Sequence, residues 1–259
     1  MPKATAVLLA VAGCSMGAPS GMDDAGTVAG EPDAAVIAPR PDAGAGAPDA
    51  AAGSVDAAPP GPYRHTIDVD GTSSFTGDEV FATTTESYSA YVTWDDQRLY
   101  LGYLGDDVAA DDPRKWFFVY LDVAPGGAAT GHRYNTQAPS FPAGFRADHY
   151  YRWQSSGGVE DVMTWSGSGW QTAASIAPES ARGGSLIEVS LPLADLGDPA
   201  RLGVVVLWVN ESDGLEAAYG GLYADSFTDG YHASIPIARY LEVDRTSALP
   251  PNDPSNRHP

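Results

Sequence analysis

The chain of 259 residues holds a single cysteine, Cys14, so no disulfide can form within it and its stability has to come from a packed core. Basic residues are scarce: 14 Lys and Arg stand against 34 Asp and Glu, for a formal net charge of −20. Such a balance excludes nucleic acid as a partner, because phosphate binding needs clustered Lys and Arg. No apolar run approaches the roughly 20 residues that a spanning helix requires. The five histidines, His65, His132, His149, His232 and His258, show no zinc-ligand spacing. A Gly-x-Ser-x-Gly elbow, a phosphate loop and paired zinc ligands are missing as well, and the expectation is a protein without catalytic activity. From Ser15 to Pro62 there is no aromatic residue.

What is present starts at the amino end, where Lys3 precedes an apolar run from Ala4 to Ala12 and Val11-Ala12-Gly13-Cys14 closes it. The run is too short to span a bilayer but fits the apolar region of a signal peptide over residues 1–13. The four-residue motif resembles a bacterial lipobox, which implies cleavage before Cys14, acylation of that residue and attachment to the lipid bilayer. Ser15 after the cysteine points to the outer membrane of a Gram-negative cell envelope.

Residues 14–62 are almost wholly Ala, Gly, Pro, Asp and Ser, with recurring Pro-Asp-Ala fragments such as Pro32-Asp33-Ala34, Pro41-Asp42-Ala43 and Pro48-Asp49-Ala50. That composition cannot bury enough apolar surface to offset a backbone ordering cost of roughly 1–2 kcal/mol per residue. A disordered tether is expected there, and a disordered tail over residues 248–259.

Residues 63–247 read as strands. Short segments rich in β-branched and aromatic residues alternate with turn residues, and no helical period persists. The expected strands are Thr66–Val69, Val80–Thr84, Ser89–Trp94, Leu99–Leu104, Trp116–Asp122, Ala147–Trp153, Asp161–Trp165, Leu186–Leu191, Leu202–Val209 and Ile235–Tyr240. Turns are expected at Asp95-Asp96-Gln97, Pro125-Gly126-Gly127 and Ser155-Ser156-Gly157-Gly158, and a helical turn at Pro192–Leu196 ended by Gly197. Trp116–Asp122 and Leu202–Val209 are apolar on both faces, so they belong at the buried centre of the fold. The fold class is all-β, a single jelly-roll-like β-sandwich.

Three segments taken in order, Asp68-Val69-Asp70-Gly71, Ala90 to Tyr103 with Trp94-Asp95-Asp96-Gln97 inside it, and Phe118-Val119-Tyr120-Leu121-Asp122, resemble the DOMON-like superfamily, with family 9 carbohydrate-binding modules nearest. Ile187 to Gly197 is similar to that group's late strand and following turn. The resemblance implies a non-catalytic sandwich that binds a sugar or a haem; the haem version would need an axial ligand such as Met163. A structural or adhesion lipoprotein without a small ligand is the other alternative.

A sugar site needs flat aromatic faces beside amides and carboxylates. Tyr151, Trp153, Trp165 and Trp170 are the candidates, with Tyr151 and Trp153 on one face by period two and Trp165 joining them across the ladder. Arg152, Gln154 and Asn135 are candidate polar contacts. Trp94 and Trp208 are assigned to the core. Tyr223 and Tyr231, in the glycine-rich stretch near the end of the domain, form a second candidate group. The family resemblance implies structural calcium, for which Asp68, Asp70, Asp78 and Glu79 are the candidate ligands, although their spacing misses the EF-hand pattern.

Overall fold

The computed structural model describes residues 60–259 apart from Asp213; the expected signal peptide, acylated Cys14 and nearly all of the tether lie outside the described residues. Among the described residues there are fifteen strands, which in chain order begin with β1 (Val80–Ala82), β2 (Ser89–Trp94), β3 (Arg98–Leu104), β4 (Lys115–Asp122) and β5 (Pro139–Ser140). They continue with β6 (His149–Gln154), β7 (Glu160–Trp165), β8 (Trp170–Thr172), β9 (Glu179–Gly183) and β10 (Leu186–Pro192). The last are β11 (Arg201–Asn210), β12 (Ala217–Tyr219), β13 (Ile235–Pro236), β14 (Tyr240–Asp244) and β15 (Arg257–His258).

One sheet runs β1-β2-β3-β10-β9 and the other β15-β14-β11-β4-β6-β7-β8, with β12 paired to β11. Their facing side chains make the main core, in which Leu101, Tyr103 and Val189 of the smaller sheet meet Phe117, Val119, Tyr151 and Val206 of the larger. The β-sandwich reading is correct. Strands β4 and β11 are buried on both faces, as their unbroken apolar runs require. Trp116, Phe118, Tyr120, Val205 and Leu207 point away from the smaller sheet into a second cluster. Connections carrying Tyr134, Phe141, Phe145, Phe227 and Ile235 cover that outer face.

Local chemistry sets several of the turns. At the β2–β3 tip, Asp95 accepts hydrogen bonds from the Gln97 and Arg98 backbone N–H groups at 2.7 and 2.8 Å. The helical turn expected before Gly197 is a 3-10 turn, Ala194–Leu196, ended by Gly197 at φ 86°.

Three expectations need correction. Thr66–Val69 buries Ile67 but forms no ladder; the backbone contact nearby is His65 N–H to the Trp94 carbonyl at 2.9 Å. Ile235–Tyr240 is not one strand. Pro236 removes a donor from the run; β13 pairs in parallel with β5, and the chain enters the larger sheet only at Tyr240. Residues 248–259 are folded rather than a tail: Asn252 bonds the Asp78 and Gly77 carbonyls, Asp253 caps the Pro254–Asn256 turn, and Arg257–His258 pairs with β14. Its polar and proline-rich composition serves capping.

Over the outer face of β10, the 68–72 segment closes on a buried carboxylate. Gly183 and Gly71 touch so closely that a Cβ on Gly183 would lie 1.9 Å from the Gly71 carbonyl oxygen. One oxygen of Glu188 accepts the Gly71 and Asp70 N–H groups at 2.9 and 3.2 Å, and the other is buried with no partner. Burial, with Asp70 nearby, holds this carboxyl above the ordinary glutamate value. The folded state therefore holds the proton more tightly than the unfolded state, and stability is lost as pH rises from the ordinary value through the raised one. Glu188→Gln keeps an acceptor for the two N–H groups and carries no charge. It is expected to stabilise the fold by about 1 kcal/mol at pH 7, or ~2–4 °C in Tm, and to lose that advantage at acid pH, where the wild-type carboxyl is itself neutral. Thermal melts of both proteins across that range check it.

Candidate functional site

Strand β6 sits between β4 and β7, so its alternate residues enter different layers. Tyr151 and Trp153 do share a face, but it is the inner one. Tyr151 is fully buried, with its hydroxyl donating to Glu160 at 3.0 Å. Trp153 packs edge-on to Trp208 at 6.1 Å, with the Arg182 guanidinium 5.9 Å from its ring centroid. These two residues are core and carry no ligand surface. Trp94 and Trp208 are core, as expected.

Trp165 does not join Tyr151 and Trp153. The β6–β7 register sets Tyr151 opposite Val162 and Tyr150 opposite Met163, and Trp165 pairs with Trp170 of β8. Both indoles therefore belong to the outer face, with ring centroids 5.3 Å apart at 61°. Trp170 packs edge-on against buried Tyr150 at 4.8 Å, which anchors the pair to the sheet. Of the six tryptophans, Trp94, Trp116, Trp153 and Trp208 are at most 8% exposed, whereas Trp165 and Trp170 are partly exposed and adjacent. Met163 is buried on the same face, where its sulfur accepts the Thr172 hydroxyl at 3.8 Å.

Further along β6 and β7, about 13 Å from Trp165 by strand rise, the outer face carries polar groups. Arg152 makes a two-point ion pair with Asp161, at 2.5 and 2.8 Å, and donates to the Tyr134 hydroxyl at 2.6 Å. The Asp161 hydrogen bonds hold the guanidinium well above its ordinary value and keep it charged. Gln154 points elsewhere, donating to the Pro113 carbonyl. His132 and Tyr134 lie over the outer face, with His132 4.8 Å from Tyr134 and 5.9 Å from Tyr150. Burial lowers the His132 pKa and favours the neutral ring. The stretch around Tyr134 matches no binding motif; its ring packs on Phe118 and Trp116 of β4, a placement that nothing in its polar neighbours signals.

The second candidate group splits. Tyr223 is a staple: its backbone is left-handed at φ 70°, its ring meets Phe81 edge-on at 5.8 Å, and the Arg257 guanidinium lies 4.9 Å from its centroid. Tyr231 is 54% exposed, with its hydroxyl 2.9 Å from that of Thr136. Asn135 nearby donates to Glu216 at 3.3 Å.

The four candidate calcium ligands are not gathered. Glu79 is buried and spends its carboxylate on the Tyr63 hydroxyl, the Thr76 N–H and His65 Nδ1, at 2.7–2.8 Å. Asp70 caps the Thr72 N–H at 2.7 Å, and Asp68 and Asp78 are exposed. Among the described residues no group of three or more His, Cys, Asp or Glu is placed to hold a metal ion. Compared with family models, with curated proteins and with solved structures, the chain matches none of them.

Proposed function

We propose that this chain is an acylated envelope protein that displays a non-catalytic β-sandwich for binding a saccharide, as its resemblance to the DOMON-like superfamily and family 9 carbohydrate-binding modules implies. The supporting observation is the division of the tryptophans: four are buried, and the two left partly exposed share one edge of the larger sheet. Leaving indole surface in water forgoes about 25 cal/mol per Å² of burial, and the two rings, meeting at 61°, offer apolar surface to a ligand. The C–H face of a pyranose fits against such exposed rings, and His132, which packs on the same Tyr150 that supports Trp170, is the nearby polar group to meet hydroxyl groups. The exposed side chains Leu215 and Tyr231 at the loop end favour a second reading, a protein-adhesion surface.

Trp165→Ala is the discriminating variant, because the ring contact it loses is the one with Trp170. It is expected to weaken glycan binding at least tenfold, equivalent to about 1.4 kcal/mol, while Tm stays within a few degrees of wild type. Glycan-array screening followed by titration calorimetry tests this. A wild-type protein that binds no glycan, or a variant that binds as well as wild type, refutes the reading.

A further inference from the structure

A cleft of about 290 Å³ opens on the outer face of the larger sheet, where β4 ends and β11 begins. Asp122, Gly203, Arg201, Glu242 and Tyr240 line it, with Gly144 at its rim. Each has a separate structural reason to be there. Asp122 ends β4 pointing outward; one of its oxygens accepts the Arg146 N–H at 2.7 Å, leaving the other open. Gly203 lies opposite both Asp122 and Glu242 in the ladder, and a Cβ on it would meet the Phe145 ring at 2.8 Å. The Phe145 ring occupies the space that a side chain there would need, and so borders the cleft beside Tyr240. Arg201 is held by Asp244 at 2.8 Å and lies 3.8 Å from Glu242. The Tyr240 ring is fixed from behind by His258, stacked at 5.3 Å and 27°, and by Phe145 at 5.4 Å.

A flat aromatic wall, two carboxylates and a guanidinium around a small cleft suit a polyol. Carboxylate oxygens accept from hydroxyl groups and the guanidinium donates to them, while Asp122 and Glu242 repel an anionic ligand. The cleft and the tryptophan pair also share one end of one face. Trp165 N–H donates to the Asp148 carbonyl and Asp148 N–H to the Leu121 carbonyl, so Trp165 and Asp122 are in the same terminal row of the sheet. That row continues through Gly203 to Glu242. Four strand spacings of about 4.8 Å separate Trp165 from Glu242, or roughly 19 Å.

We infer that the cleft is a second saccharide subsite and that the module takes an oligosaccharide chain laid across the strand ends, rather than one terminal sugar. This rests on the saccharide reading above. Two subsites on one ligand act through effective concentration, so affinity rises once the ligand is long enough to span both.

Titration calorimetry with linear gluco-, xylo- and manno-oligosaccharides of two and of six units tests it. For the sugar series that binds, the hexasaccharide is expected to bind at least tenfold more tightly than the disaccharide. The double variant Arg201→Ala/Glu242→Gln, altering side chains at the cleft mouth, should lower hexasaccharide affinity to the disaccharide level and leave disaccharide binding and Tm unchanged. Trp165→Ala should weaken both ligands. Equal affinity for short and long ligands, or a double variant that binds the hexasaccharide as wild type does, overturns the second subsite while leaving the first intact. Failure of every oligosaccharide at both lengths overturns the saccharide reading itself, and this inference with it.

Discussion

Trp208→Ala is expected to cost about 3–5 kcal/mol of folding stability, the range for deleting a buried large aromatic side chain, and to show as a Tm lowered by roughly 6–20 °C in a domain of this size. Trp208 is fully buried in β11, the strand that joins β4 to β14 in the larger sheet. Its ring meets Phe117 at 5.5 Å, Tyr103 at 5.6 Å, Trp153 at 6.1 Å and Tyr219 at 6.3 Å. These neighbours come from both sheets and from β12, and each is fixed by its own ladder, so the void cannot close by movement of one side chain. Tyr103 is further pinned by its hydroxyl bond to the Gly220 carbonyl at 3.0 Å. The indole N–H makes no hydrogen bond, so its removal orphans no acceptor and the loss is one of packing. Against a typical stability of about 5–15 kcal/mol, this one substitution removes a large share. A chemical-denaturation midpoint equal to wild type would refute the picture of Trp208 as the ring on which the two sheets close.

The fold was legible where one segment carries its own reasons. Strand β2 is bounded as expected, Ser89–Trp94, because its alternation ends at an aspartate whose side chain caps the turn. Strands β4 and β11 declared their central place by being apolar at every position. Strand β9, Glu179–Gly183, was not foreseen, since at an exposed edge nothing in its polar sequence marks a strand. The candidate ligand-binding aromatics were harder for a definite reason. Period two correctly put Tyr151 and Trp153 on one face of β6, but in a sheet covered on both sides the period does not say which face is the sandwich interior. That is decided by loops distant in sequence. Trp165 depended on register as well: it would have joined Tyr151 had it stood opposite an odd-numbered β6 position, and the turn at 155–158 places it beside Asp148. The cleft has no sequence signature at all, because Asp122, Arg201 and Glu242 meet only through the ladder.

Cys14→Ser is expected to transfer the protein from the membrane fraction to the soluble fraction. The proposed attachment is chemical and local: thioether and amide acylation at one residue, with each buried CH₂ contributing about 0.8 kcal/mol. A single chain gives only marginal, reversible binding, so stable attachment needs more than one, as a fully processed lipoprotein provides. Flanking charge offers no substitute. The excess of carboxylates disfavours contact with an anionic lipid surface, and among the described residues no helix is long and apolar enough to cross a membrane. Serine retains the size and polarity of the site but has no thiol to alkylate, so the variant isolates the modification from the sequence around it. Detergent phase partitioning of both proteins expressed in a Gram-negative host, with intact mass of the recovered wild type, reads the result. The wild type should carry the added mass of its acyl chains, and the variant should partition to water. A wild type recovered with a free thiol, or a variant that stays with the membrane, would mean that the envelope attachment proposed here does not run through Cys14.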